Sequence, residues 1–163
     1  MGFYLMGSSE EHVRLLDRAV SGSWSDEVRG VSRVEALGEV REEFNDLAMA
    51  RVRLGDGARR LVAYALIRPG ESSALALAEA RRFAEREGHQ VVRELADATG
   101  PLDPARRPGY LEARRLILGG YAEGLVVRTR HDISTVEDEY EREIRDLGER
   151  FALVLLEQSE TRA

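Results

Sequence analysis

Residues 61–73 read LVAYALIRPGESS. Positions 61–67 are all apolar or aromatic and run straight into Arg68-Pro69-Gly70, after which Ser72 and Ser73 open a helical pattern. A short apolar run, a glycine turn and a helix start form the repeating unit of a parallel α/β sheet. In such sheets the turn at the strand's carboxyl end is where a ligand or a reactive group sits.

The same unit recurs downstream. Residues 72–87 are helical in period, with Leu75, Leu77, Ala80, Phe83 and Ala84 apolar, and Gly88 closes them. Residues 90–95 form a second strand. Residues 107–118 form a second helix, introduced by Pro104 and Pro108 and closed by Gly119-Gly120. Residues 125–129 form a third strand, and a third helix runs from Ser134 or Thr135 to Leu147, with Ser134-x-x-Glu137 as its capping box. Residues 151–156 form a fourth strand. The order β-α-β-α-β-α-β predicts an α/β domain over residues 59–163, a three-layer, parallel-rich sheet of about four strands flanked by helices.

Residues 1–58 read as a helical extension. Ser8 or Ser9 caps a first helix with Val13, Leu16 and Val20 on one side, ended by Ser21-Gly22-Ser23. Ser32 opens a second, with Val34, Leu37, Val40, Phe44, Leu47 and Ala48 in one stripe, stopped at Leu54-Gly55-Asp56-Gly57. This hairpin either packs on the rest of the chain or reaches out as a dimerising arm. Trp24, alone in a polar loop, either plugs the junction between the halves, the favoured reading, or is an exposed anchor.

Totals narrow the function. Of 163 residues, 43% are hydrophobic, enough for a buried core, and 30 acidic against 24 basic residues give a net charge of −6. That balance argues against a broad grip on nucleic acid, which needs clustered positive charge. There is no cysteine, and His12, His89 and His131 have no metal-ligand spacing, so neither metal nor cofactor is expected. No apolar run approaches the roughly 20 residues of a membrane helix, and a cytoplasmic location is expected.

The strand ends should bring Arg68, Asp97, Arg128, Arg130, His131 and Asp132 to one rim. Arg68, Arg107, Arg128 and Arg130, with the helix start at Ser72, make a candidate anion- or phosphate-binding set. Two other readings stand beside it: a salt-bridge network in which the aspartates neutralise these arginines, and an acid–base role for His131 with Asp132 or Asp97.

Residues 61–158 resemble the catalytic domain of serine recombinases, the resolvase/invertase group. The resemblance is carried by AYALIRP (63–69), ARRFAEREGHQVVRELADATG (80–100), RRPGYLEARRLI (106–117), GLVVRTRHDIST (124–135) and RFALVLLEQ (150–158), in that order. It implies a resolvase-like fold and a reaction in which a serine hydroxyl attacks a DNA phosphodiester, with arginines stabilising the charge. Where the family has Tyr-x-Arg-x-Ser, this sequence has Tyr64-Ala65-Leu66-Ile67-Arg68, with leucine at the arginine place and arginine at the serine place. Where it has Leu-Asp-Arg-Leu-Ser-Arg, this sequence has residues 130–135, with His131, Asp132 and Thr135 replacing the carboxylate and two arginines. Tyr64, Asp97, Arg107 and Ser134 keep family-like identities. A guanidinium stays protonated and cannot attack phosphorus, and Ser72 and Ser73 are better placed as helix caps.

The resemblance, so broken, implies a protein without a catalytic residue, one that works through protein–protein contact as a regulatory or scaffolding homodimer. The alternative is a regulator that still touches DNA or phosphate through the arginine rim; a displaced serine would be needed for an active recombinase. The family's DNA-reading helix-turn-helix and long dimerising helix are expected to be absent after Ala163.

Overall fold

A computed structural model describes residues 32–51 and 57–162. The expected helix at residues 8–20 and Trp24 lie outside the described residues. The first described element is α1 (Arg33–Arg51), followed by β1 (Arg60–Leu66), α2 (Ser73–Arg86), β2 (Gln90–Asp97), a 3-10 turn (Pro104–Arg106) and α3 (Pro108–Leu118). Then come β3 (Gly124–Val127), one helical turn (Arg130–Ile133), α4 (Glu137–Glu149), β4 (Leu153–Leu156) and a last 3-10 turn (Glu160–Arg162).

The four strands form one sheet in the order β2-β1-β3-β4, and every pair is parallel. Strand β1 lies in the middle, which is why it reads as an unbroken apolar run: a central parallel strand is covered on both faces. Its alternating side chains feed two cores. Val62 and Tyr64 point into the larger one with Tyr110, Ile117, Tyr140, Ile144 and Leu147. Leu61 and Ala63 point into the smaller one with Ala80, Ala84 and Val91. The face that α2 buries is therefore an alanine stripe, Ala76, Ala80 and Ala84, and Leu75, expected on the apolar side, is exposed. Small residues on both surfaces let the helix lie close to the sheet.

Helix α1 starts as its sequence predicts. Ser32 Oγ accepts from Glu35 N and Glu35 Oε2 accepts from Ser32 N, both at 3.2 Å, a reciprocal capping box. Its stripe of Leu37, Val40, Phe44 and Ala48 is buried in cis, most of it in the larger core beside α4. Two helical glycines, Gly38 and Gly148, make this contact close. A Cβ on Gly38 would meet Glu160 Oε2 at 2.8 Å, and one on Gly148 would overlap the Phe44 ring. Asn45 completes the seam: its side-chain amide donates to Val154 O and its carbonyl accepts from Val154 N, both at 2.9 Å, so a helix residue stands in for a neighbouring strand and closes the β4 edge.

One cap differs from expectation. Helix α4 begins at Glu137 with Val136 as its N-cap and no side-chain cap, so Ser134 and Glu137 do not form a box. The box lies one turn earlier, between Thr129 and Asp132, and creates the short helical turn after β3. Ser134 ends that turn: its hydroxyl accepts from Val136 N at 3.0 Å and donates to Glu139 Oε2 at 2.6 Å.

Candidate functional site

A cavity of about 410 Å³ opens at the carboxyl ends of β1 and β3. Arg68 and Glu71 reach it from the turn after β1, Glu79 from α2, and Arg128, His131 and Asp132 from the turn after β3. Arg68, Arg128, His131 and Asp132 are thus brought together as the strand ends predict.

Asp132 organises this end of the sheet. Strands β1 and β3 stop pairing at Ala63 and Val126, and Leu66 N lies beyond that ladder. The Asp132 carboxylate takes its place. It accepts from Leu66 N at 3.0 Å and Arg128 N at 3.1 Å, and from the Arg128 guanidinium at 2.9 Å. Asp132 is buried, so these donors are what make its charge tolerable there. Arg128 is also bound by Glu71, whose other oxygen accepts from Arg68 N at 3.0 Å. Burial alone would lower the Arg128 guanidinium, but Glu71 and Asp132 outweigh it and hold it above its ordinary value. The Arg128 hydrogen bond, ahead of a backbone bond from Arg68, holds Glu71 below the usual carboxylate range.

Five of the expected residues, Tyr64, Ser72, Asp97, Arg107 and Ser134, do not line the cavity. Arg107 is almost fully buried and donates to Leu102 O and Asp132 O, both at 2.8 Å, which ties the loop before α3 to the helical turn. Asp97 accepts from Gly109 N and from the Tyr64 hydroxyl at 2.8 Å and from Tyr110 N at 2.9 Å. It therefore caps α3 from β2, where Arg107 at the N-cap offers no side-chain hydrogen bond. Burial pushes the Tyr64 phenol well up, so it remains a donor. Ser72 caps α2, its Oγ accepting from Leu75 N at 3.3 Å, and Ser134 is buried behind the helical turn. Arg130 stands beside the cavity, and its Nε and Nη1 are buried without a hydrogen-bond partner.

His131 is not paired with either aspartate. Its backbone N donates to Thr129 Oγ1 at 3.1 Å. Burial, then the charges of Arg130 and Arg68, lower its imidazole below the ordinary 6.5. His89 is lowered too, by burial and then Arg59, and its Nδ1 accepts from Arg59 N at 3.0 Å. In the unfolded chain both rings take a proton near pH 6.5; in the fold they take it only at lower pH. Between those values the unfolded chain holds more protons, so stability is full above 6.5 and is lost as the pH falls through the folded values. Thermal melting between about pH 7 and pH 5 should show a falling midpoint. Its slope should flatten in His89→Gln, which keeps an acceptor for Arg59 N; an unchanged slope in that variant would remove His89 from the account.

Glu71 and Glu79 escaped the sequence reading because a helix-start glutamate and a helix-face glutamate look like solvated charges. Asp132 as strand tie had a signal, the Thr129-x-x-Asp132 box, which competed with the equally good pattern at Ser134. Among the described residues no group of three His, Asp or Glu side chains is arranged to hold a metal ion, and no helix is long and apolar enough to cross a membrane.

Comparisons with known proteins bear on the fold. No protein-family model matches the sequence, and no curated protein matches it. Among solved structures, the N-terminal catalytic domain of TP901-1 integrase is similar, with a TM-score of 0.50 and 17% identity over 58% of this chain and 72% of that one. The C-terminal catalytic domain of ISC1926 TnpA, an IS607-like serine recombinase, gives a TM-score of 0.49 and 19% identity over 60% of this chain and 67% of that one. The parallel sheet and its helices have the fold of serine-recombinase catalytic domains, as the resemblance in the sequence implied.

Proposed function

We propose that this chain is a non-catalytic relative of the serine recombinases that acts through protein–protein contact, as a homodimer in a regulatory or scaffolding role. The observation that carries this reading is the end of β1. Arg68 stands where the resembled family has its nucleophilic serine, and Arg128, in the same cavity lining, is already bound by Glu71 and Asp132. The hydroxyls in the cavity lining are Thr129 and Thr135. Thr129 Oγ1 accepts from a backbone N–H, and no base among the described residues is hydrogen-bonded to either hydroxyl. A hydroxyl without a base, beside an Arg128 that two carboxylates already neutralise, is poorly equipped for the reaction.

Contact with another chain is supported by the sheet edges. Asn45 closes β4, whereas β2, the other edge, has no cap among the described residues and exposes Val92. An open edge of this kind is a template for pairing. Leu75 and Tyr121 add exposed apolar surface.

The test uses the full chain. Incubated with supercoiled plasmid, it should produce no nick and no protein–DNA adduct that survives denaturation; either product would end the non-catalytic reading. Analytical ultracentrifugation should give twice the 18.3 kDa chain mass, and a monomer would end the dimer reading. Deleting residues 1–31 keeps the whole of α1 (Arg33–Arg51), and shows whether that segment supplies the interface.

A second reading, anion or DNA binding at the rim, is favoured by one observation, the two unpartnered nitrogens of Arg130. The carboxylates of Glu71, Glu79 and Asp132 around the same cavity oppose it by repelling phosphate. Salt-dependent binding to random-sequence DNA, lost in Arg130→Gln, would bring this reading forward.

A further inference from the structure

The opposite, amino-terminal end of the sheet carries a second cavity of about 410 Å³. Residues just ahead of β1, β3 and β4 and the carboxyl ends of α1, α3 and α4 enclose it. Its charged groups are Arg51, Arg59, Arg150 and Glu123, and its apolar wall is formed by Ile117, Leu118 and Phe151.

Arg59 is the anomaly. It is 7% exposed, yet its Nη2 is buried without a hydrogen-bond partner. Among the described residues, its guanidinium makes one hydrogen bond, a 3.5 Å contact from Nη1 to Ala58 O. No carboxylate among the described residues lies within ion-pair distance of it. A buried guanidinium is normally paired, because stripping water from an unpaired charge is costly. Nor is the backbone there slack: Arg59 N donates to His89 Nδ1 at 3.0 Å, and Arg59 O accepts from Gln90 N at 2.9 Å.

The neighbouring charges do not resolve this. Glu123, the carboxylate in the lining, accepts from Arg60 N at 2.8 Å and lies 3.7 Å from Arg60 Nε. Arg51 and Arg150 end α1 and follow α4, where cations suit the helix dipole. Arg150 faces Asp146 at 4.0 Å, and Arg51 lies over the Phe151 ring at 4.1 Å. Helix ends thus account for two of the arginines and leave the third, the most buried, with no neutralising carboxylate among the described residues. Phe151 holds φ at +60°, a left-handed position that favours glycine, and its ring is nonetheless kept at the cavity wall.

We propose that this cavity binds a small organic anion, a phosphate monoester or a carboxylate carried on an aromatic or apolar body. The anionic group meets Arg59, and the body lies against Ile117, Leu118 and Phe151. The volume falls within the range of small-molecule pockets. The assignment is independent of the rim and of whether the chain is catalytic.

Isothermal titration calorimetry on the full chain tests it with four probes: phenyl phosphate, benzoate, inorganic phosphate and benzyl alcohol. At least one of the two aromatic anions should bind more tightly than both inorganic phosphate, which lacks the body, and benzyl alcohol, which lacks the charge. The preferred aromatic anion identifies the head group. Arg59→Met should weaken that binding by about tenfold or more, whereas Arg68→Met, at the far rim, should leave it unchanged. Without ligand, Arg59→Met should melt no lower than the parent chain, since it removes an uncompensated buried charge. Leu118→Trp, at a position 41% exposed, narrows the cavity from its surface and should abolish binding even if Arg59→Met does not fold. Aromatic anions that bind no better than benzyl alcohol, binding unaffected by Leu118→Trp, or binding lost in Arg68→Met would each overturn the proposal.

Discussion

Replacing Asp97 by alanine is expected to lower the unfolding free energy by about 3–4 kcal/mol, measured by urea denaturation. Three donors, two of them buried, converge on this carboxylate: the backbone N–H groups of Gly109 and Tyr110, and the Tyr64 hydroxyl. Alanine leaves all three without an acceptor, and two of them belong to Tyr64 and Tyr110, which are fully buried. The junction is tight: a Cβ on Gly109 would meet Ala96 O at 2.8 Å. Asp97→Asn keeps one acceptor oxygen and should lose about half as much. A loss below about 1 kcal/mol for the alanine variant would show that the β2–α3 junction is held by packing alone.

Glu160→Ala is expected to be at least as damaging, about 3–5 kcal/mol, because it strands a buried cation. Arg41 and Glu160 are both nine-tenths buried and joined by two hydrogen bonds. The Tyr140 hydroxyl donates to Glu160 Oε1 at 2.7 Å, and Arg41 Nη1 donates to Val154 O at 3.1 Å. Burial alone would raise the Glu160 carboxyl, but Arg41 outweighs it and holds the group below its ordinary 4.5. Its contribution is therefore present above about pH 4.5 and lost as the pH falls through the lowered folded value. Replacing both partners by apolar residues, Arg41→Met with Glu160→Leu, should recover most of the loss in the same denaturation assay. A double variant as unstable as Glu160→Ala would mean that the pair itself, and not the stranded charge, sets the effect.

The strands and helices were legible because apolar runs and glycine stops mark them locally. The central run at 61–67 announced a strand, and Ser32 announced the start of α1. What α1 touches was not legible. Its stripe of Leu37, Val40 and Phe44 fits any apolar partner, and the groups that select one, Gly148 and Glu160, lie more than a hundred positions away. The rim was half legible. Strand ends placed Arg68, Arg128, His131 and Asp132 together, since topology alone does that. That Asp97 and Arg107 turn inward depends on unsatisfied backbone groups at the start of α3 and on the carbonyls of Leu102 and Asp132, which no residue pattern announces. Arg59 was passed over for the opposite reason: one arginine next to another at a strand start looks like ordinary surface charge.

The seam between α1 and the Glu160 turn also constrains how the chain is made. Arg41 is synthesised 119 positions before the carboxylate that neutralises it. Until that carboxylate emerges from the ribosome, the helix has no dry place for its guanidinium and must wait in water with Leu37, Val40 and Phe44 uncovered. A nascent chain halted anywhere between β1 and β4 would display that greasy stripe to whatever holds unfinished proteins.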